Sequence, residues 1–387
     1  MKFIVISLIP IEFFTKSRRQ TAEEKLKKEK IIEKLPINND ITTIFKEICP
    51  QEFSFYSLSK LYKNSSIAFM ESSACIVIES EPENFTLDES FVRNKLISRR
   101  KLHSDIIKGN GHPILKAVKL ISESIDDPNI YTVTINYVFS FNIINTKGDS
   151  INKDQKNLLK VLAEPSIADI DDMLSSQRIS SEIEDKSKIK KEFIEKITDS
   201  DVSGGSDTFI TWASIVSLCY NDNSFLGTKN LLISLEVRLQ TIWNRCFSIN
   251  ELIKNVIDNK QTQIDIEELY WSFMPTLDDS KSVLSSTYST RANFLFSKMV
   301  KTSNIENEIE RLHSKINLLE KFVAKEIGKT RNKYQKIIEI ILFILTLSVL
   351  VPILMPVPVI HNSNIAWLIF IVIAAVGLFT ILRKSGS

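Results

Sequence analysis

The chain has 387 residues, 43% of them hydrophobic, and its 49 basic side chains nearly balance 47 acidic ones, for a net charge of +2. That balance excludes a direct nucleic-acid partner held by overall charge. Four cysteines, Cys49, Cys75, Cys219 and Cys246, stand without a C-x-x-C pair, which excludes a disulfide or zinc framework and reads as reduced, buried thiols.

Met1-Lys2 and the apolar run that follows resemble the start of a signal peptide. Pro10 and Glu12 interrupt the run and no small-residue cleavage site follows, so the segment reads as a buried first β-strand. Residues 16–35, KSRRQTAEEKLKKEKIIEKL, predict a charged, solvent-facing helix that Pro36 ends. Residues 66–78 read as strand, and 114–125 have helical spacing through Leu115, Val118 and Ile121. The strongest β-signal is 129–144, NIYTVTINYVFSFNII, as one long strand or a bent pair. Residues 147–201 are polar and helical in pattern, Gly204-Gly205 marks a turn, and 208–220 reads as a central strand, apolar on both faces. Residues 1–228 therefore predict an α/β or α+β head.

Between strand and helix lies a basic cluster: Arg93, Lys95, Arg99, Arg100, Lys101, His103 and Lys108, followed by the turn Gly109-Asn110-Gly111-His112-Pro113. Adjacent arginines before a glycine turn can hold nucleotide phosphates through forked hydrogen bonds and exposed backbone N–H groups. Arg99, Arg100, Lys101 and His103 are the candidate ligand residues on this reading. The same cluster also fits a solvated face that balances the acids Glu79, Glu81, Glu83, Asp88 and Glu89. Neither G-x-x-x-x-G-K-[ST], H-E-x-x-H nor G-x-S-x-G occurs, and the four histidines lie in dissimilar contexts, so no enzyme is expected.

From residue 229 the pattern is helical, with a stripe through Leu232, Leu235, Leu239, Ile242 and Trp243. Residues 229–336 predict a helical section and a stalk, in which one helix runs from about residue 277 to 351 for on the order of 110 Å. Ile305, Ile309, Leu312, Ile316, Leu319 and Val323 form a heptad seam within it, which packs against other helices rather than water. Two apolar runs then predict transmembrane helices at 337–360 and 365–382, each near the roughly 20 residues that a span requires. Lys329, Arg331, Lys333 and Lys336 precede the first, Arg383 and Lys384 follow the second, and His361-Asn362-Ser363-Asn364 between them is uncharged. The positive-inside rule puts both chain ends in the cytoplasm, so the expected location is the inner membrane, with the bilayer as partner.

This plan, a mixed head, a long stalk helix and a two-helix hairpin with a basic tail, resembles the CorA-type magnesium channel superfamily. The family's Gly-Met-Asn motif is replaced by Met355-Pro356-Val357-Pro358-Val359-Ile360, which removes the signature of magnesium selectivity. In that feature the chain is similar to the divergent branch that serves type III CRISPR antiviral defence. The resemblance implies a homopentamer whose first span lines a pore, gated by an adenylated nucleotide second messenger bound to the head. It implies pore-lining positions at Glu339, Leu342, Phe343, Thr346, Leu350 and Ile353, with a ring of Glu339 carboxylates attracting cations at the mouth. It leaves a constitutive transporter of Mg or another divalent cation, or a non-conducting membrane-anchored scaffold, as alternatives. Asp169, Asp171, Asp172, Asp278 and Asp279 could serve as regulatory divalent sites between subunits, or as helix caps and solvated loops.

Overall fold

A computed structural model describes residues 1–13, 15–35, 53–70, 72–109, 111–124, 136–163, 198–201, 206–211, 213–259 and 290–318, with single helical positions at 41, 44, 321, 325, 328, 335, 336, 338, 339 and 342. The chain divides into two compact units, the first Met1–Lys260 with Leu269–Ile316 and the second Gln261–Glu268 with Asn317–Ser387.

The first unit is organised by β1 (Lys2–Glu12), KFIVISLIPIE, which lies inside a ten-stranded sheet between β5 (Ser73–Glu79) and β7 (Phe139–Asn145). Apolar residues at both odd and even positions suit a strand covered on both faces. Pro10 has no N–H to give, and it falls beyond the last pair with β7, Leu8 opposite Phe139. Outward from β5 lie β4 (Ser65–Phe69), β3 (Ser54–Ser57) and the short β2 (Glu33–Lys34). Outward from β7 lie β10 (Ile215–Cys219), β9 (Ser206–Ile210) and β8 (Thr198–Asp201), while β6 (Glu83–Asn84) pairs with the start of β1. Among the described strands only the β7–β10 pair is parallel.

Four helices cover the face that carries Phe3, Ile9 and Ile11. Helices α1 (Lys16–Lys28) and α3 (Leu115–Glu123) pack Ala22, Leu26, Val118 and Ile121 over Ile9, Ile76 and Ile67. Helices α2 (Glu89–Ile107) and α4 (Lys153–Ala163) pack Val92, Leu96, Leu159 and Leu162 over Phe3, Ile144 and Val216. The opposite face is covered by α5 (Asp222–Asn259), a helix of 38 residues. Helix α6 (Thr290–Ser303) packs on α5, as the Arg238 guanidinium over the Phe296 ring shows. A helix over 305–318 (α7) follows, and its Lys315 ammonium donates to the Asn250 carboxamide of α5.

Several elements differ from the sequence expectation, each for a local reason. Helix α1 buries Arg19 and Glu23 instead of facing solvent throughout, and it ends at Lys28. Burial pushes the Glu23 carboxyl upward, but hydrogen bonds from Lys27 and the Tyr56 hydroxyl, with the Arg19 charge, hold it below its ordinary value. Residues 66–78, read as strand, form the hairpin β4–β5. Residues 208–220 likewise split into β9 and β10, because the Thr211 hydroxyl accepts from the Ala213 and Ser214 amides and closes a turn between them. Of 129–144, only Phe139 onward is strand among the described residues. The long helix expected from 277 breaks at Asn304, whose φ of 59 is a left-handed conformation that asparagine tolerates better than most residues. The seam positions Ile305, Ile309, Leu312 and Ile316 are buried within this single chain, so this part of the seam needs no second copy; Leu319 and Val323 lie outside the described residues.

The expected fold with a transmembrane hairpin, and with it the inner-membrane location, is corrected. Among the described residues no helix is long and apolar enough to cross a membrane. The helices with the length, among the described residues, are α2 and α5. The first carries Arg93, Lys95, Arg99, Arg100 and Lys101 and the second Lys229, Glu236, Arg238 and Arg245, and charges at that density forbid a hydrocarbon setting. The runs 337–360 and 365–382 fall outside the described residues, apart from Ile338, Glu339 and Leu342.

Buried on nearly all sides from residue 230 to 249, α5 must answer its polar side chains from within. The Arg245 guanidinium donates to buried Glu12 at the end of β1 (3.1 Å) and to the Ser72 hydroxyl (2.6 Å). Asn136 donates to both Asn244 (2.8 Å) and Ser248 (3.1 Å), and the Tyr137 hydroxyl donates to the Gln240 carbonyl (2.9 Å). Glu236 accepts from the Gln240 carboxamide at 2.8 Å. Burial pushes its carboxyl up to about 8, although the Gln240 amide pulls the other way. The folded protein therefore keeps a proton that the unfolded chain, titrating near 4.5, has lost, and stability falls as pH rises between those values. We predict that Glu236→Gln, which keeps the bond to Gln240, raises the melting temperature relative to wild type increasingly from about pH 5 to about pH 9. Melting curves of both proteins across that range test this; a difference that does not grow with pH would contradict it.

Candidate functional site

The four candidate residues of the basic cluster lie on α2, which Asp88 caps by accepting from the Phe91 amide at 2.7 Å. Its first half belongs to one hydrophobic cluster through Val92 and Leu96, and its second half packs Leu102 and Ile106 on the other. Arg99 and His103, one turn apart, are committed to the protein itself. The Arg99 guanidinium donates to the Ala213 carbonyl in the β9–β10 turn, and His103 Nδ1 accepts from the Val138 amide at the entry to β7 (3.4 Å). Arg100, Lys101 and His103 are exposed and Arg99 is half-buried. The bonds of Arg99 and His103 run to different segments, so the four side chains do not converge on one point. Elsewhere in the cluster Lys95 pairs with Glu83. Gly109 and Gly111, at φ of 70 and 77, form the turn that glycine permits after the helix.

A row of serines crosses the sheet beside the turn that Arg99 reaches. Ser7 on β1, Ser140 on β7 and Ser214 at the start of β10 lie at one register across three adjacent strands. The Ser7 and Ser140 hydroxyls bond at 2.8 Å, and the Ser214 hydroxyl donates to the Ser140 carbonyl at 2.6 Å. One row further, the buried Asn142 carboxamide has no hydrogen-bond partner for its nitrogen among the described residues. This polar row separates the two hydrophobic clusters that α2 bridges.

A cleft opens on the other face of the sheet, at its outer edge. Its volume is about 250 Å³, and its walls come from β3, β4, β5 and the first turns of α5. Ser57 and Ser66 stand opposite each other across β3 and β4, with Phe55 two positions along. These small hydroxylated residues leave open a strip that larger side chains would fill. Glu79 ends β5 and receives the Lys229 ammonium at 2.7 Å, with the two side chains 25% and 17% exposed. Asn230 is buried beside Lys229, while Leu226 is an exposed apolar residue of α5 on the same wall. The cleft thus joins an aromatic ring, hydroxyls, a carboxamide and one ion pair. Lys229 and Glu79 are 150 residues apart, and nothing local in the sequence links them.

Of the pore-lining positions expected from the sequence, Glu339 and Leu342 are helical and exposed, and Glu339 accepts from Gln335 one turn earlier (3.2 Å). Phe343, Thr346, Leu350 and Ile353 lie outside the described residues, as do Asp169, Asp171, Asp172, Asp278 and Asp279. Among the described residues no group of three or more His, Cys, Asp or Glu could hold a metal ion. No protein-family model, no curated protein and no solved structure matches the chain.

The inward placement of Arg99 is testable against its neighbour. Arg99→Ala strands the Ala213 carbonyl and should cost about 1–3 kcal/mol, whereas Lys101→Ala, on the exposed side of α2, should stay within about 0.5 kcal/mol. Denaturant unfolding of the two variants measures both, and equal costs would contradict the assignment.

Proposed function

We propose that this chain is a nucleotide-responsive sensor that works as a self-associating effector rather than an enzyme, with α5 as the element that passes on the bound state. The single observation that carries the reading is the reach of α5. Its Leu226, Lys229 and Asn230 line the cleft, its Arg245 is tied to the central strand, and its Arg238 and Asn250 hold α6 and α7. A rigid helix of this length spans about 57 Å, so a displacement at its first turns is felt at its last. A ligand shifts such an equilibrium only by binding one arrangement better than the other, and packed helices commonly answer with shear of about 1–2 Å.

The nucleotide class is supported by the mixed chemistry of the cleft. Self-association belongs to the same proposal and is checked by native mass.

The test is thermal unfolding of the full chain with AMP, ATP and linear and cyclic oligoadenylates, followed by hydrogen exchange with whichever compound stabilises it. At 100 times its Kd a ligand adds about 2.7 kcal/mol, enough to raise the melting temperature by a few degrees. We expect such a rise together with slower exchange in both α5 and α7. Absence of any rise would contradict the sensor, and protection confined to the binding site would contradict the relay.

A further inference from the structure

We infer that the cleft beside Lys229 is the ligand site itself, that it takes a group the size of one nucleotide, and that Glu79 is a built-in competitor which the ligand's phosphate displaces from Lys229. This rests on the nucleotide-sensor reading above and adds its place and its chemistry.

The Lys229–Glu79 pair alone would serve to dock α5 on the sheet. Three further features turn the docking point into a site. The pair stands at the wall of an open cavity, not in packed protein, and both members keep a part of their side chain accessible to it. The cavity holds about 250 Å³, below the roughly 300–1,000 Å³ of pockets for drug-sized ligands, which suits one base with its sugar and excludes a long oligomer lying wholly inside. Its other walls are divided between the two halves of such a ligand. The Phe55 ring with Leu226 offers an apolar surface for a flat base, and Ser57, Ser66 and Asn230 offer hydrogen bonds to its edges or sugar.

The exchange at Lys229 follows from charge. A phosphate brings up to two negative charges and three strong acceptor oxygens, against one charge on Glu79, so it competes well for a partly desolvated ammonium. Lys229 belongs to α5 and Glu79 to β5. Replacing Glu79 by a ligand therefore uncouples α5 from the sheet at the start of the helix that the sensor reading makes the relay.

Isothermal titration of the full chain with AMP, adenosine and inorganic phosphate tests this, using wild type, Lys229→Gln and Glu79→Gln. Both variants lose the same ion pair, so any loss of fold or of α5 docking is common to them, and only the sign of the affinity change separates the roles. We expect AMP to bind wild type at least about tenfold tighter than adenosine, in line with one charge-assisted contact. Lys229→Gln should bring AMP down to the adenosine level, and Glu79→Gln should bind AMP severalfold tighter than wild type. AMP binding that is unchanged in both variants overturns the cleft assignment and leaves the sensor reading standing. AMP binding weakened by Glu79→Gln overturns the competitor role. Phosphate binding that needs Lys229, with no AMP binding, overturns the nucleotide class for this site and leaves the sensor reading to the thermal test above.

Discussion

A helix with protein on all sides has no water to answer its polar groups, and α5 carries many of them. Thr228, Asn230, Ser234, Glu236, Arg238, Gln240, Thr241, Asn244, Arg245 and Ser248 are all buried along it. Much of the first unit is arranged around bonds to them, although the Asn244 side-chain nitrogen has no hydrogen-bond partner among the described residues. Glu12 occupies the last position of the central strand because Arg245 awaits it there, and removing one partner of such a buried pair costs several kcal/mol. Asn136 and Tyr137 lead into β7 because Asn244, Ser248 and the Gln240 carbonyl receive them. Burial pushes the Glu236 carboxyl up to about 8, with the Gln240 amide as its bond. Such a helix is held by directional bonds at several points rather than by an apolar face alone, and those bonds give it defined positions between which to shift.

The two faces of the sheet serve different ends. Under α1–α4 lies a conventional apolar core, divided by the Ser7–Ser140–Ser214 row into the two clusters that α2 bridges. Arg99 and His103 are spent on holding α2 over that division. The opposite face holds the polar helix and, where the outer strands run past it, the cleft. Cys75 and Cys246 share the helix side; burial pushes both thiols up, Cys246 to about 12, so both stay protonated and inert.

Features carried by hydrophobic period were legible in the sequence: the opening strand, helix 115–123 and the stripe that became α5. Features decided by a single polar contact were not. Thr211 divides an apolar run that reads as one strand, and Asn304 breaks a helix that has neither proline nor glycine at that point. The heptad seam was visible, but its partner was not, since a period of 3.5 states that a helix packs and not whether it packs on its own chain. For the site the difference is sharper. A cluster of adjacent basic residues stands out in sequence, yet helix geometry turns Arg99 toward the β9–β10 turn and leaves Arg100, Lys101 and His103 exposed, with His103 accepting from the Val138 amide. Lys229 and Glu79 meet only because α5 crosses the end of β5, which no local pattern announces. The C-terminal runs were the loudest sequence signal, but apart from Ile338, Glu339 and Leu342 they lie outside the described residues, and among those described no helix is long and apolar enough to cross a membrane.

The central claim is that α5 carries a ligand-dependent displacement from the sheet to the outer helices. Its most direct measurement is the distance between spin labels at Lys101→Cys on α2 and Glu310→Cys on α7, both exposed. The background would be Cys49→Ser, since Cys75, Cys219 and Cys246 are buried. The account predicts a shift of the mean distance by about 1–2 Å, or a second population at that offset, when a nucleotide shown to bind is added to saturation. Superimposable distance distributions with and without that bound nucleotide would contradict it.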